Sequence, residues 1–259
     1  QKMSEVDVVM LTDFAGDVSE LRARAESLAS VLNASSARRA GGTLPPSLED
    51  AMFQLCNISG DEKHPALWNY TVSSAELNSE RGTHAILVKH PFRIQGSQTC
   101  ASFKYRSDIA LQNPPLSVLI QDTRPETDGG FPDGKNYFVV TMVHLPHSSG
   151  DKASEQRDVE LNALFKGYWS KVGKSFPRNA MHLIGGDLNV FPTESKFRLS
   201  KRGWGEPQIP QSVSTTAGKG ATDNFIIDKT STREYTFYPY VRVLALAPDD
   251  DDSQQLQVS

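Results

Sequence analysis

The residues most suited to chemistry are Gly185-Gly186-Asp187-Leu188-Asn189. They follow an apolar run, Met181-His182-Leu183-Ile184, that reads as a buried strand. The glycine pair is expected to end that strand and allow a sharp turn. Asp187 and Asn189 then lie two residues apart, and if the backbone stays extended their side chains point the same way. A carboxylate and an amide aimed together suit a hard cation and a phosphate oxygen. An ordinary Gly/Asp/Asn turn is the alternative for these residues taken alone.

Three further strand ends carry residues of related chemistry. A strand at 6–11 is followed by Asp13, and one at 137–143, rich in β-branched and aromatic residues, leads to His144. Asp223 stands ahead of a strand at 225–228. Alone, Asp13 also suits a helix approach, His144 a satisfied strand-end histidine, and Asp223 a turn or cap. Four such endings, separated by strand-sized and helix-sized gaps, are the pattern of a site on the rim of a sheet. The remaining histidines, 64, 84, 90 and 147, are read as structural or exposed, and His182 as a polar group of the core.

The elements that must position these residues follow from periodicity. Apolar residues at Leu21, Ala25, Leu28 and Leu32 predict an amphipathic helix over 19–32. A second is predicted over 154–172, from Val159, Leu161, Leu164, Phe165, Tyr168, Trp169 and Val172. Further strands are expected at 68–72, 84–88, 116–120 and 241–246, another from 91–94 onward, and a short helix at 47–55. The segment 34–46, rich in Ala, Ser, Gly and Pro, reads as loop. A basic loop follows the Gly-Asp-Leu-Asn turn, with Lys196, Arg198, Lys201 and Arg202, which form a solvated face or reach a nucleic-acid backbone. Many short strands with two interposed helices predict an α/β fold, a two-sheet β-sandwich flanked by helices.

Composition narrows the classes. The 259 residues are 38% hydrophobic, enough for a sizeable core, and the net charge is -4. That balance argues against a protein held to nucleic acid by bulk charge, but not against an enzyme that grips a few phosphates. Cys56 and Cys100 leave pairing and redox compartment open. Tripeptides beginning at Asn33, Asn57 and Asn69 fit the glycosylation pattern and lean toward secretion. No apolar run is long enough to span a membrane, and no signal peptide is visible.

On these residues the chain resembles the endonuclease/exonuclease/phosphatase superfamily, in its deoxyribonuclease I-like branch. Gly186-Asp187-Leu188-Asn189 is similar to the family's Gly-Asp-Phe-Asn, and Val143-His144-Leu145 to its strand ending in a catalytic histidine. The run from Thr222-Asp223 to Asp228 resembles the late strand that opens with an aspartate, and residues 6–13 the strand ending in a metal-binding glutamate. The resemblance implies one deoxyribonuclease I-like domain over 1–259, without counterparts of the family's first and last strands. It implies that Asp187 and Asn189 bind the scissile phosphate and its metal, that His144 moves a proton or stabilises the transition state, and that Asp223 orients a second histidine. Asp13 takes the place of the metal-ligand glutamate. The implied cofactor is Mg²⁺ or another divalent cation such as Ca²⁺ or Mn²⁺. The implied substrate is nucleic acid, DNA rather than RNA.

The chain also departs from the family. Asp13 is one methylene shorter than glutamate, and Asn113 stands where an arginine is usual. The glutamate that pairs with the first histidine has no clear match, and the closing Ser-Asp-His is absent. The expected function is therefore a metal-dependent phosphodiesterase of the deoxyribonuclease type. The alternatives are a catalytically silent member of the fold serving as a binding or structural subunit, with protein partners, and a phosphatase on a small phosphorylated molecule.

Overall fold

A computed structural model describes residues 8–14, 18–39, 68–72, 83–99, 104–106, 109–111, 113–124, 137–145, 151–164, 173–177, 180–190, 209 and 222–227. Among these, the strands are β1 Val8–Phe14, β2 Trp68–Val72, β3 Thr83–Lys89, β4 Phe92–Thr99, β5 Lys104–Arg106, β6 Ile109–Ala110, β7 Leu116–Asp122, β8 Tyr137–His144, β9 Met181–Asp187 and β10 Asp223–Ile227. The helices are α1, Val18–Arg39, and α2, Asp151–Ala163, with a 3₁₀ turn at Gly173–Ser175.

The strands form two principal sheets. One has three strands in the order β1-β3-β2, the other five in the order β10-β9-β8-β7-β4, and β5 and β6 pair separately. All pairings are antiparallel except β8 with β9, which is parallel. A parallel pair needs a crossover, and α2 lies on the chain between these two strands. This is the α/β sandwich that the strand and helix pattern predicts.

Alternation along the strands explains the layers. Ile86 and Val88 of β3, Leu116, Val118 and Ile120 of β7, and Val140 and Met142 of β8 form one buried cluster between the sheets. The opposite parity of β3 faces α1, with Leu87 in a cluster with Ala29, and Ala85 in one with Leu21 and Ala25. The opposite parity of β8 and β9 faces α2, with Val143 and Ile184 packed with Ala163 and Leu164. A period of two thus gives each sheet one face toward its partner and one toward a helix.

Two expectations change. Helix α1 runs on to Arg39, through residues read as the start of a loop. Ala, Ser and Arg tolerate a helix, and no Gly or Pro occurs before Gly41, so an existing helix propagates at little cost. Asn33 lies within this helix, and its side chain clamps β2: it accepts from the Trp68 N–H at 2.6 Å and donates to the Trp68 carbonyl at 3.4 Å. The second change is that β9 continues through both glycines to Asp187. The elements expected at 47–55 and 241–246, the basic loop at 196–202, and both cysteines lie outside the described residues, as do residues 165–172 of the second helix.

Candidate active site

The two glycines before Asp187 are strand residues that permit close approach. A Cβ on Gly185 would stand 2.5 Å from the Phe225 ring and 2.9 Å from Met10 Cε. A Cβ on Gly186 would stand 2.1 Å from the Val143 carbonyl oxygen, and Gly186 has φ of 131°, a region reserved for glycine. The turn itself falls one step later. Asn189 has φ of 49°, the left-handed region that asparagine tolerates better than most residues. Asp187 and Asn189 are therefore not neighbours on one extended face, as strand alternation predicts. They are joined by an Asx turn, in which the Asn189 N–H donates to Asp187 Oδ1 at 2.8 Å.

Further hydrogen bonds tie the turn to its surroundings. Asn189 Nδ2 donates to the Leu145 carbonyl at 2.8 Å, and the Leu145 N–H to the Asp187 carbonyl at 2.9 Å. The Leu188 N–H donates to the Thr222 carbonyl at 3.0 Å. From α2, Arg157 Nη1 donates to the Asn189 carbonyl at 2.7 Å. Asn113 Nδ2 donates to the His144 carbonyl at 2.9 Å, so the residue that replaces the expected arginine secures the end of β8.

Register brings the predicted residues together. His144 is the partner of Asp187 in the β8–β9 pair, and Asp187 is the partner of Asp223 in the β9–β10 pair. Residues directly opposite share a face of the sheet, so one row crosses three neighbouring strands. That face is the one toward the other sheet. Val143, Leu145, Leu188 and Ile226 pack in the α2 cluster, and Asn224 exchanges two hydrogen bonds with Ile209, which leaves 144, 187 and 223 on the opposite side. All three are half-buried, as befits a row at the rim of a core.

Asp13 joins from the second sheet by its backbone. Leu11 pairs with Ala85, and Phe14 with Thr83, so residues 12 and 13 bulge against His84 alone. Met10 pairs with Ile86 and reaches the level of Gly185, the partner of Met142. The bulge lies one step beyond Met10, as Asp187 and His144 lie one step beyond Gly185 and Met142. The four predicted positions and Asp13 thus gather at one end of the sandwich.

The residue that the sequence left aside is His84. It is fully buried, and burial first, then the charge of His144, lowers its pKa from 6.5 to about 3. It is uncharged throughout the neutral range. The signal available in the sequence is its parity: it precedes Ile86 and Val88 on the face that meets β8. His182 is buried, as the core reading expects.

The donor set suits a hard cation. Mg²⁺ is generally held by one or two carboxylates together with substrate phosphate and water, rather than by an all-protein cage. Asp187 and Asp223 put two carboxylates directly opposite each other, an arrangement that like charge disfavours and a cation relieves. Among the described residues no group of three His, Cys, Asp or Glu side chains forms a ready metal cluster.

Comparison with known proteins finds similarity to solved structures alone. No family model matches the chain, and no curated protein does. Solved structures similar to it include the human Nocturnin catalytic domain, at 13% identity over 62% of this chain and 61% of that one, with a TM-score of 0.43. A truncated TDP2 from Caenorhabditis elegans is 13% identical over 86% of this chain and 83% of that one, with a TM-score of 0.40. ANGEL2, described as a 2′,3′-cyclic phosphatase, is 18% identical over 78% of this chain and 45% of that one, with a TM-score of 0.43. These neighbours are members of the endonuclease/exonuclease/phosphatase superfamily, the one that the sequence resembles. The likeness concerns the fold.

Proposed function

We propose that the chain is a divalent-metal-dependent phosphodiesterase, a deoxyribonuclease-like endonuclease that hydrolyses phosphodiester bonds of DNA in preference to RNA. The observation that carries this reading is the row His144–Asp187–Asp223 on three neighbouring strands, with the strapped Asn189 turn at its edge. Hydrolysis of a phosphodiester needs charge neutralisation at the phosphoryl oxygens, in-line attack by water, and proton transfer. Asp187, Asn189 and Asp13 would hold the cation, which supplies Lewis-acid polarisation of the phosphoryl oxygens. Asn189 contributes its amide oxygen, since its nitrogen is committed to Leu145. His144 holds or moves a proton, and Asp223 stands beside Asp187 to orient a further group.

A second reading, a catalytically silent binding subunit of the same fold, is favoured by one observation. Asn113 is buried, and its amide nitrogen is committed to the His144 carbonyl, so the position offers no cation to a phosphate. Plasmid nicking separates the two. Cleavage that requires Mg²⁺ and stops with EDTA is expected, and its loss in both Asp187→Asn and His144→Gln. Absence of EDTA-sensitive cleavage by the complete protein overturns the nuclease reading.

A further inference from the structure

The entry to β7 carries a gap in its hydrogen bonding. Asn113, Pro114 and Pro115 lead into the strand and are all buried. Register pairs Leu116 with Met142, so the ladder carried two residues further sets Pro114 opposite His144. The Leu145 N–H donates to the Asp187 carbonyl on β9, so by alternation the N–H and carbonyl of His144 face β7. A residue there would ordinarily return its own N–H to the His144 carbonyl, and a proline has none. Asn113 Nδ2 makes that bond instead, at 2.9 Å. Its Oδ1 is buried with no hydrogen-bond partner among the described residues, a cost to stability. The nitrogen is therefore what this amide contributes.

We propose that Asn113 is a positioning residue of this site, one that fixes the end of β8, and so the place of His144, with the donor that Pro114 lacks. The inference rests on the reading of His144 as a working group. His144 is the last residue of β8, and a strand end is held only as well as its last bonds. On the β9 side the next residue, Leu145, is tied to Asp187 and Asn189. On the β7 side the tie is the Asn113 amide. Without it the His144 carbonyl would turn toward another donor, and rotation of that peptide would carry the imidazole with it. A displacement of about 1 Å costs on the order of 10²-fold in rate when a working group must meet a reacting atom. The amide that brings no charge to a phosphate thus serves the histidine instead.

The test uses the full chain uniformly labelled with ¹⁵N. Asn113→Leu keeps the size of the side chain and removes the donor. Adding Pro114→Ala to it restores an N–H opposite the His144 carbonyl. Ring-nitrogen signals of His144 are identified by their loss in His144→Gln. They are expected to shift in Asn113→Leu and to return to the parent's positions in the double variant. In Mg²⁺-dependent nicking, kcat is expected to fall about 10- to 100-fold in Asn113→Leu, with KM little changed, and to recover in the double variant. A role in the fold alone would lower the melting temperature and leave ring signals and kcat as in the parent. Parental ring signals in a folded Asn113→Leu overturn the proposal, as does a shift that Pro114→Ala leaves in place. Should Asn113→Leu not fold, the double variant decides. Parental ring signals there support the proposal, and altered signals or failure to fold overturn it. If the parent nicks no plasmid yet the ring signals respond to Asn113→Leu and recover with Pro114→Ala, the positioning role stands and the nuclease reading fails.

Discussion

Gly186 shows how narrowly a single residue can be specified. Its φ of 131° and the Val143 carbonyl 2.1 Å from a would-be Cβ exclude any side chain. Backbone strain alone is worth on the order of 1–3 kcal/mol, and the clash adds to it. Gly186→Ala is expected to lower the urea midpoint sharply, with loss of the β8–β9 pairing visible by amide hydrogen exchange. Asn189 is specified differently, by its φ of 49° and by its bond to Leu145. Asn189→Gly keeps the backbone geometry and loses that one hydrogen bond, at about 1 kcal/mol. Asn189→Ala loses both and is expected to cost roughly 1–2 kcal/mol more, from the left-handed strain. Chemical denaturation of the two variants measures the difference. The sequence pointed to Asp187 and Asn189 as a pair, with a turn of Gly, Asp and Asn as the alternative, and the structure has that turn closed by the Asp187 side chain. A local bond and a left-handed φ overrode the strand alternation on which the expectation rested.

At the scale of elements, the site depends on register and on one helix. Asp187 and Asp223 are opposed by β9–β10 pairing. Asp187→Asn removes from that pair a carboxylate proposed to hold the cation. The same change is expected to diminish the rise in melting temperature that Mg²⁺ gives the parent. A melting curve with Mg²⁺ and one with EDTA test this, and equal metal response in parent and variant would count against the cation site. Helix α2 reaches the same turn through Arg157 and the Asn189 carbonyl. Arg157→Met keeps the apolar stem and is expected to cost about 1.5–3 kcal/mol, as for a hydrogen bond from a charged donor. Its nicking rate should fall more than its fold stability explains, because the turn loses its outer strap.

For the molecule as a whole, the buried His84 couples the fold to pH. Its pKa is lowered on folding, from 6.5 to about 3, so between these values the unfolded chain binds a proton that the folded chain does not. Stability from this group is complete above about pH 6.5 and declines as pH falls toward 3. The slope is at most ~1.4 kcal/mol per pH unit for one proton. Urea unfolding at stepped pH is expected to show this acid-side slope in the parent and a shallower one in His84→Asn. Equal slopes would place the acid sensitivity elsewhere. Among the described residues no helix is long and apolar enough to cross a membrane.

The sequence by itself determined the elements and the chemistry on them. Trp68–Val72, Leu116–Asp122, Tyr137–His144 and the start of Met181–Asp187 are legible because apolar and β-branched runs have few other uses. The polar residues at their ends are legible because a rim is where such residues can be solvated. Tertiary structure alone decided what those residues meet. Cross-strand register made His144, Asp187 and Asp223 one row, and register is a property of pairs of strands rather than of either strand. Folding brought Asn113 to the His144 carbonyl across 31 positions of chain, a distance that no local pattern spans. Packing also turned the glycine pair from a strand ending into a strand interior, since only the neighbouring Phe225 ring and Val143 carbonyl reveal why no side chain fits there.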